Sequence, residues 1–155
     1  VGDTYHLWYS AVSADPWSVR HAISADGASW DVEGEPCVVL DQAWEHKRLF
    51  YPYVLNPEDG LFVMWYGSYR QMEPMMTALG VAVSRDGTSW EKSPHNPIFG
   101  PDGLSREWES HYTTSQTVVR TPEGRWRMWY GARPQPPFVH KYFAIGTASW
   151  GGPGD

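Results

Sequence analysis

Three carboxylates, Asp41, Glu45 and Glu109, are candidates for moving protons. Paired carboxylates suit general acid–base work, in which one is held protonated as the acid and the other stays ionised as base or nucleophile. Near them in sequence, or at matching places elsewhere, stand His46, Arg48, Tyr53, Tyr69, Arg70, His111, Tyr112, Gln116, Arg133 and His140. That mixture suits a ligand rich in hydroxyls, of which a sugar is the simplest. Carboxylates, amides and guanidinium groups bond hydroxyls, while tyrosine faces cover the apolar side of a ring. Metal and cofactor chemistry is not expected. The six histidines form no HxH or HExxH pattern, and the single cysteine, Cys37, offers neither a disulfide nor a zinc-ligand set. The chain has no GxGxxG and no P-loop. Ser110 beside His111 is adjacency in sequence, which says nothing of a nucleophile–base geometry.

The elements that must position these residues come from an internal repeat. LWYS and two copies of MWYG place Trp8, Trp65 and Trp129 at intervals of 57 and 64 residues. ISADGASW, VSRDGTSW and a shortened IGTASW end at Trp30, Trp90 and Trp150, each step being 60 residues. WEHKRLFYPYV starts at Trp44 and WESHYTTSQTVV at Trp108, 64 residues later. Three motifs recurring in one order near one period indicate a single supersecondary unit used repeatedly.

Each unit reads as strands. RLFYPYVL and TTSQTVVR are β-rich runs followed by the turn sequences NPEDG and TPEG. LFVMWYGS and RWRMWYGA come next, making a hairpin, and ALGVAVS and YFAIGTAS alternate small and branched residues as a third strand. Asp26-Gly27 and Asp86-Gly87 supply tight turns to an outer strand, with CVVL and NPIF closing the unit. Four antiparallel strands in about 60 residues is the plan of a β-propeller blade. The predicted fold is all-β, a partial or oligomer-completed propeller in one domain over 1–155: a partial blade 1–43, a complete blade 44–100 and a partial blade 101–155. A closed ring of five such blades needs roughly 300 residues. A longer chain with further blades, or a homodimer that completes the ring, is therefore expected. The start at Val1, with no basic-then-apolar leader, suggests a processed or trimmed segment and leaves localisation open.

MWYG, ALGVAVSRDGTSW and SPHNPIF resemble the blades of the five-bladed propeller glycosidases, a group of arabinanases, β-xylosidases, β-fructosidases and mannoside phosphorylases. The resemblance runs over nearly the whole chain and is specific for the blade rather than for one activity. It implies a glycosidase-like, carbohydrate-active module that hydrolyses or binds glycosides at the propeller axis. It also implies carboxylates early on the innermost strands, pointing into the central cavity. The matching stretches, 50–53 (FYPY) and 114–117 (TSQT), contain no Asp or Glu, and Tyr53 and Gln116 stand where such a carboxylate is expected. That departure favours the alternative, a non-catalytic propeller segment that self-associates or binds sugar. Hydrolysis would have to draw on Asp41, Glu45 or Glu109.

Blade topology assigns faces. The start of strand 1 and the loop between strands 2 and 3 share one face, and the Asp-Gly turns lie on the other. The candidate residues thus gather on the first face, from strand 1 starts and from the loops carrying Tyr69, Arg70, Arg133 and His140. Glu45 and Glu109 share one repeat position after Trp44 and Trp108, which argues for a structural job. His46, His111 and Tyr112 are not repeated in kind and are better candidates for ligand contact. A net charge of -6 with 12 Lys and Arg excludes a uniform basic surface for nucleic acid. Apolar stretches are broken by Gly, Pro and polar residues, so no membrane-spanning helix is expected. At 41% hydrophobic and 19% charged, the chain is too apolar to be disordered.

Overall fold

Alternation of inward and outward side chains along each strand decides how the sheets stack. The computed structural model describes residues 3–32, 34–101, 106–135 and 143–151. Within them run β1 (Tyr5–Ala11), β2 (Ser18–Ser24), β3 (Asp31–Val32), β4 (His46–Glu58), β5 (Leu61–Met72), β6 (Met75–Ser84), β7 (Trp90–Lys92), β8 (Tyr112–Arg120), β9 (Trp126–Arg133) and β10 (Ala144–Trp150). These strands form three antiparallel sheets, β1-β2-β3, β4-β5-β6-β7 and β8-β9-β10, in an all-β array of propeller blades. No helix among the described residues is long and apolar enough to cross a membrane.

Strand β5 shows the packing rule. Met64 and Tyr66 face the first sheet and bury against Val19, Leu49 and Ala82. Trp65, between them, faces the third sheet and packs with Leu79, Val118, Met128 and Tyr130. Period-2 alternation thus feeds two seams from one strand. The repeated tryptophans follow the same logic: Trp65 is 3% exposed, whereas Trp129 is 40% exposed on the third sheet, whose far side no described sheet covers.

The turns at the opposite end are duplicates. Asp26 Oδ1 accepts the N–H groups of Ala28 and Ser29, and Ser24 Oγ accepts that of Gly27. Asp86, Thr88, Ser89, Ser84 and Gly87 repeat every bond. Gly27 and Gly87 hold φ of 72° and 81°, a region glycine adopts without a Cβ penalty. These backbone donors lower the Asp26 carboxyl to about 2 and depress that of Asp86 as well.

Two details differ from the sequence reading. CVVL and NPIF give only isolated bridges, Val38 to Val19 and Phe99 to Leu79, while the regular outer strands are the short β3 and β7. Proline is the reason: Pro36, Pro94 and Pro97 have no N–H for a ladder. Asn96 fills the gap in the second sheet, its side chain bonding both the N–H and the carbonyl of Val81. Second, Trp150 is not the counterpart of Trp90. Gly146 lies opposite Tyr130 as Gly80 lies opposite Tyr66, so strand register equates IGTASW with LGVAVS and Trp150 with Ser84. The shared Ser-Trp ending matched residue type, not register.

Candidate functional site

The two repeated glutamates are built into the sheets. Glu45 leads into β4 with no exposed side-chain surface. Its Oε1 accepts the Tyr66 hydroxyl at 2.7 Å, and its Oε2 accepts the N–H groups of Asp41 and Gln42 and the Lys92 ammonium at 2.7 Å. Glu109 closes a single 3-10 turn, Glu107–Glu109, accepts the Tyr130 hydroxyl, and lies 3.8 Å from Arg106 Nε. Trp44 packs on Tyr66 and Trp108 on Tyr130. A Cβ on Gly80 would come within 2.9 Å of both Tyr66 and Trp44, and one on Gly146 within 2.8 Å of both Tyr130 and Trp108. A Trp-Glu, Tyr, Gly module therefore occurs twice. Burial first, and the adjacent carboxylate second, push both tyrosine hydroxyls far above their ordinary range, so they remain neutral donors. Four donors occupy Glu45, and Asp41, 61% exposed, pairs with Lys92 on the outer strand β7. Asp41 and Glu45 thus meet at Lys92, while Glu109 serves the next sheet.

The starts of the inner strands form a different surface. Both β4 and β8 break register, between Phe50 and Tyr53 and between Thr114 and Thr117. Tyr51 and Ser115, equivalent residues, take φ of 52° and 53° in these bulges, which leave the Tyr51 ring exposed. Above the first bulge the Arg48 guanidinium rests on Trp17 at 4.3 Å and reaches Asp15 at 3.2 Å, a contact that raises its already high pKa. Phe50, Tyr69 and Tyr112 form a buried cluster joined by Trp17, Met72 and Met75. The Arg133 guanidinium is buried between Tyr112 at 4.5 Å and Phe143 at 4.2 Å. Burial, with Tyr69 and Tyr51 nearby, pushes the Tyr112 hydroxyl up to about 12 against the opposing pull of Arg133.

Register shows how the two sheets correspond here. Leu49 pairs with Ser68 and Thr113 with Ala132, and counting one residue outward matches Arg48 with Tyr112 and Tyr69 with Arg133. A bulge in β4 makes His46 the direct ladder partner of Tyr69, whereas Tyr112 pairs directly with Arg133. Each sheet contributes one arginine and one tyrosine, but on exchanged strands.

The structure brings Arg48, Tyr69, Tyr112 and Arg133 to one mouth, with His46 exposed opposite Tyr69 and Arg70 beside it. His111 sits at the start of β8, its Nδ1 3.1 Å from Ser110 Oγ and its carbonyl accepting the Thr77 N–H. Tyr53 and Gln116 lie elsewhere. Tyr53 packs in the second seam, and Gln116, 4% exposed, donates to the carbonyls of Tyr51 and Trp65, tying β8 to the second sheet. His140 falls outside the described residues. Sequence reading missed Asp15, Trp17, Phe50 and Tyr51. Asp15 and Trp17 belong to the β1–β2 loop, the first-sheet counterpart of the loops read in the other two; continuing the LWYS alignment into that loop would have found them. No group of three or more His, Cys, Asp or Glu among the described residues is placed to hold a metal ion. A cavity of about 650 Å³ between the second and third sheets, lined by Trp65, Trp126 and Trp150, lies toward the other end of the strands and is mainly apolar.

Solved structures share this fold. BT0996, solved as an RGII complex, superposes with a TM-score of 0.70 at 22% identity, over 96% of this chain and 47% of that one. Zg3597, a family 117 glycoside hydrolase of the marine bacterium Zobellia galactanivorans, gives 0.72 at 14% identity, over 96% and 48%. The fold is that of the glycoside-hydrolase propellers. Fructan 1-exohydrolase IIa from Cichorium intybus gives 0.68 at 18% identity, over 84% of this chain and 25% of that one. The chain thus spans less than half the length of these propellers. No protein-family model matches it, and no curated protein does.

Proposed function

We propose that the chain is the glycan-binding part of a carbohydrate-active propeller, with the sugar held at the mouth formed by β4, β5, β8 and β9. One observation carries this: two neighbouring sheets each bring an arginine and a tyrosine to the same surface, around the Phe50, Tyr69 and Tyr112 cluster. Fixed polar groups beside aromatic faces are what recognition of a sugar ring requires. The likeness to glycoside hydrolases, and to BT0996 in its RGII complex, supports the same ligand class. Acid–base catalysis has less support here, because Glu45 and Glu109 are committed to Tyr66 and Tyr130, and Asp41 to Lys92. Hydrolysis by a whole propeller would draw its acid and base from further blades or from a second copy. Either has a place to pack, since Leu7 on the first sheet and Trp129 and Ile145 on the third are exposed on outer faces.

Titration calorimetry with neutral arabino-, xylo- and galacto-oligosaccharides, beside turnover assays on aryl glycosides, tests this reading. Binding that weakens about tenfold in Tyr51→Ala, without turnover, is the expected result. A folded chain that binds none of them, and no anionic oligosaccharide either, overturns it. Turnover that collapses in Asp41→Asn replaces it with the catalytic reading. Light scattering on the same sample separates a monomer from a ring completed by copies.

A further inference from the structure

We infer that the ligand at this mouth carries an anionic group, a carboxylate or a sulfate ester, and that Arg48 and Arg133 select it; this rests on the sugar reading above. The chain as a whole is acidic, with a net charge of -6. Its mouth is not. The starts of β4 and β8 and the ends of β5 and β9 bring His46, Lys47, Arg48, Arg70, His111 and Arg133, against Asp15, Glu73 and, in the turn before β8, Glu107. The other carboxylates of this end are already engaged, Glu45 by Tyr66 and Lys92, Asp41 by Lys92 and Glu109 by Tyr130.

Hydrogen-bond chemistry makes that imbalance specific. A sugar hydroxyl both donates and accepts, so a site for a neutral sugar needs acceptors as well as donors. Guanidinium and ammonium groups only donate. A mouth dominated by them matches oxygens that carry no protons, and the planar guanidinium fork fits a carboxylate or sulfate through two parallel bonds. Both guanidiniums are also held in place before any ligand arrives. Arg133 lies between the rings of Tyr112 and Phe143, and Arg48 lies on Trp17 with its Nε on Asp15. Such fixing reduces the entropy lost on binding.

The exchange between sheets points the same way. Structural residues of the repeat keep their positions, as Glu45 and Glu109 do. The arginine–tyrosine couple keeps its chemistry while changing strands, Arg48 with Tyr69 in one sheet and Tyr112 with Arg133 in the next. Packing fixes a position. What persists here is a guanidinium beside a phenol at the mouth.

The test is calorimetric titration of the 155-residue chain with a galacturonate trisaccharide, a sulfated galactose trisaccharide and neutral galactotriose, at low and high salt. At least one anionic trisaccharide should bind about tenfold tighter than the neutral one at low salt, and the margin should shrink at high salt. The preferred arm identifies the source of the charge. Arg48→Gln should remove most of the margin, and Arg48→Lys should keep part of it. Should Arg48→Gln fail to fold, the salt dependence of the unsubstituted chain decides the same question. Equal affinity for all three trisaccharides, or a margin untouched in folded Arg48→Gln, overturns the inference and leaves the sugar reading standing. Absence of binding to any of them overturns both.

Discussion

In the second sheet Trp44, Glu45, Tyr66 and Gly80 stand where the third has Trp108, Glu109, Tyr130 and Gly146, type for type. At the mouth the same two sheets disagree, Arg48 and Tyr69 facing Tyr112 and Arg133. The difference separates two kinds of constraint. A glycine under two aromatic rings, and a phenol donating to a buried carboxylate, each admit one residue type at one place. A mouth admits any arrangement that delivers the right groups to a ligand. Even the shared module is not energetically equal in its two copies. Glu45 is paired with Lys92, whose side chain is 6% exposed, whereas Arg106, near Glu109, is 62% exposed.

The largest test removes the carboxylates in turn. Glu45→Ala strands a buried ammonium and a buried hydroxyl, and should cost about 3–5 kcal/mol, near the lower end if Asp41 retains Lys92. Among the described residues Glu109→Ala orphans the Tyr130 hydroxyl, and it should cost about 1–3 kcal/mol. Urea unfolding of both variants measures the gap. Equal losses would mean that Lys92 contributes nothing beyond what Arg106 does, and would erase the difference between the copies.

The glycines come next. Gly146→Ala drives a methyl group into Tyr130 Cζ, and Gly80→Ala drives one to 2.7 Å from Tyr66 Cζ. Each should destabilise by about 3 kcal/mol, the third sheet slightly more than the second, because buried rings cannot yield without moving their strands. Gly34→Ala, with no atom within 4 Å of the added methyl, serves as the neutral control. Thermal melts that rank Gly34→Ala with the other two would show that the rings do yield.

The parts legible in sequence were those the repeat spells twice. Motif order alone delivers the strand plan, the duplicated Asp-Gly turns and the shared position of Glu45 and Glu109. Trp150 shows the limit, because Ser-Trp endings align by letter while only hydrogen-bond register reveals that it answers to Ser84. Gln116 shows another. Placing a residue near the axis does not say whether its amide faces the cavity or, as here, the carbonyls of the neighbouring sheet. The exchanged couple was hidden for a related reason. Reading each position separately finds Tyr112 unlike Arg48, and only the pairing of strands shows that Tyr69 and Arg133 restore the balance.

The smallest test sets the mouth against the module by pH. An unfolded tyrosine titrates near 10. Tyr112 in the fold titrates at about 12, chiefly because it is buried. A folded pKa raised in this way favours the protonated state, so the contribution is whole below about pH 10 and is lost as pH rises from about 10 to 12. That loss is about 2.7 kcal/mol at most. Tyr66 and Tyr130 are raised further, so their losses begin at the same pH and continue beyond the point where that of Tyr112 is complete. Stability measured between about pH 9 and 12 should therefore fall less steeply in Tyr112→Phe than in the unsubstituted chain. Parallel profiles would mean that the Tyr112 hydroxyl is not shielded from water, and that the mouth is more open than its packing of Phe50, Tyr69 and Arg133 implies.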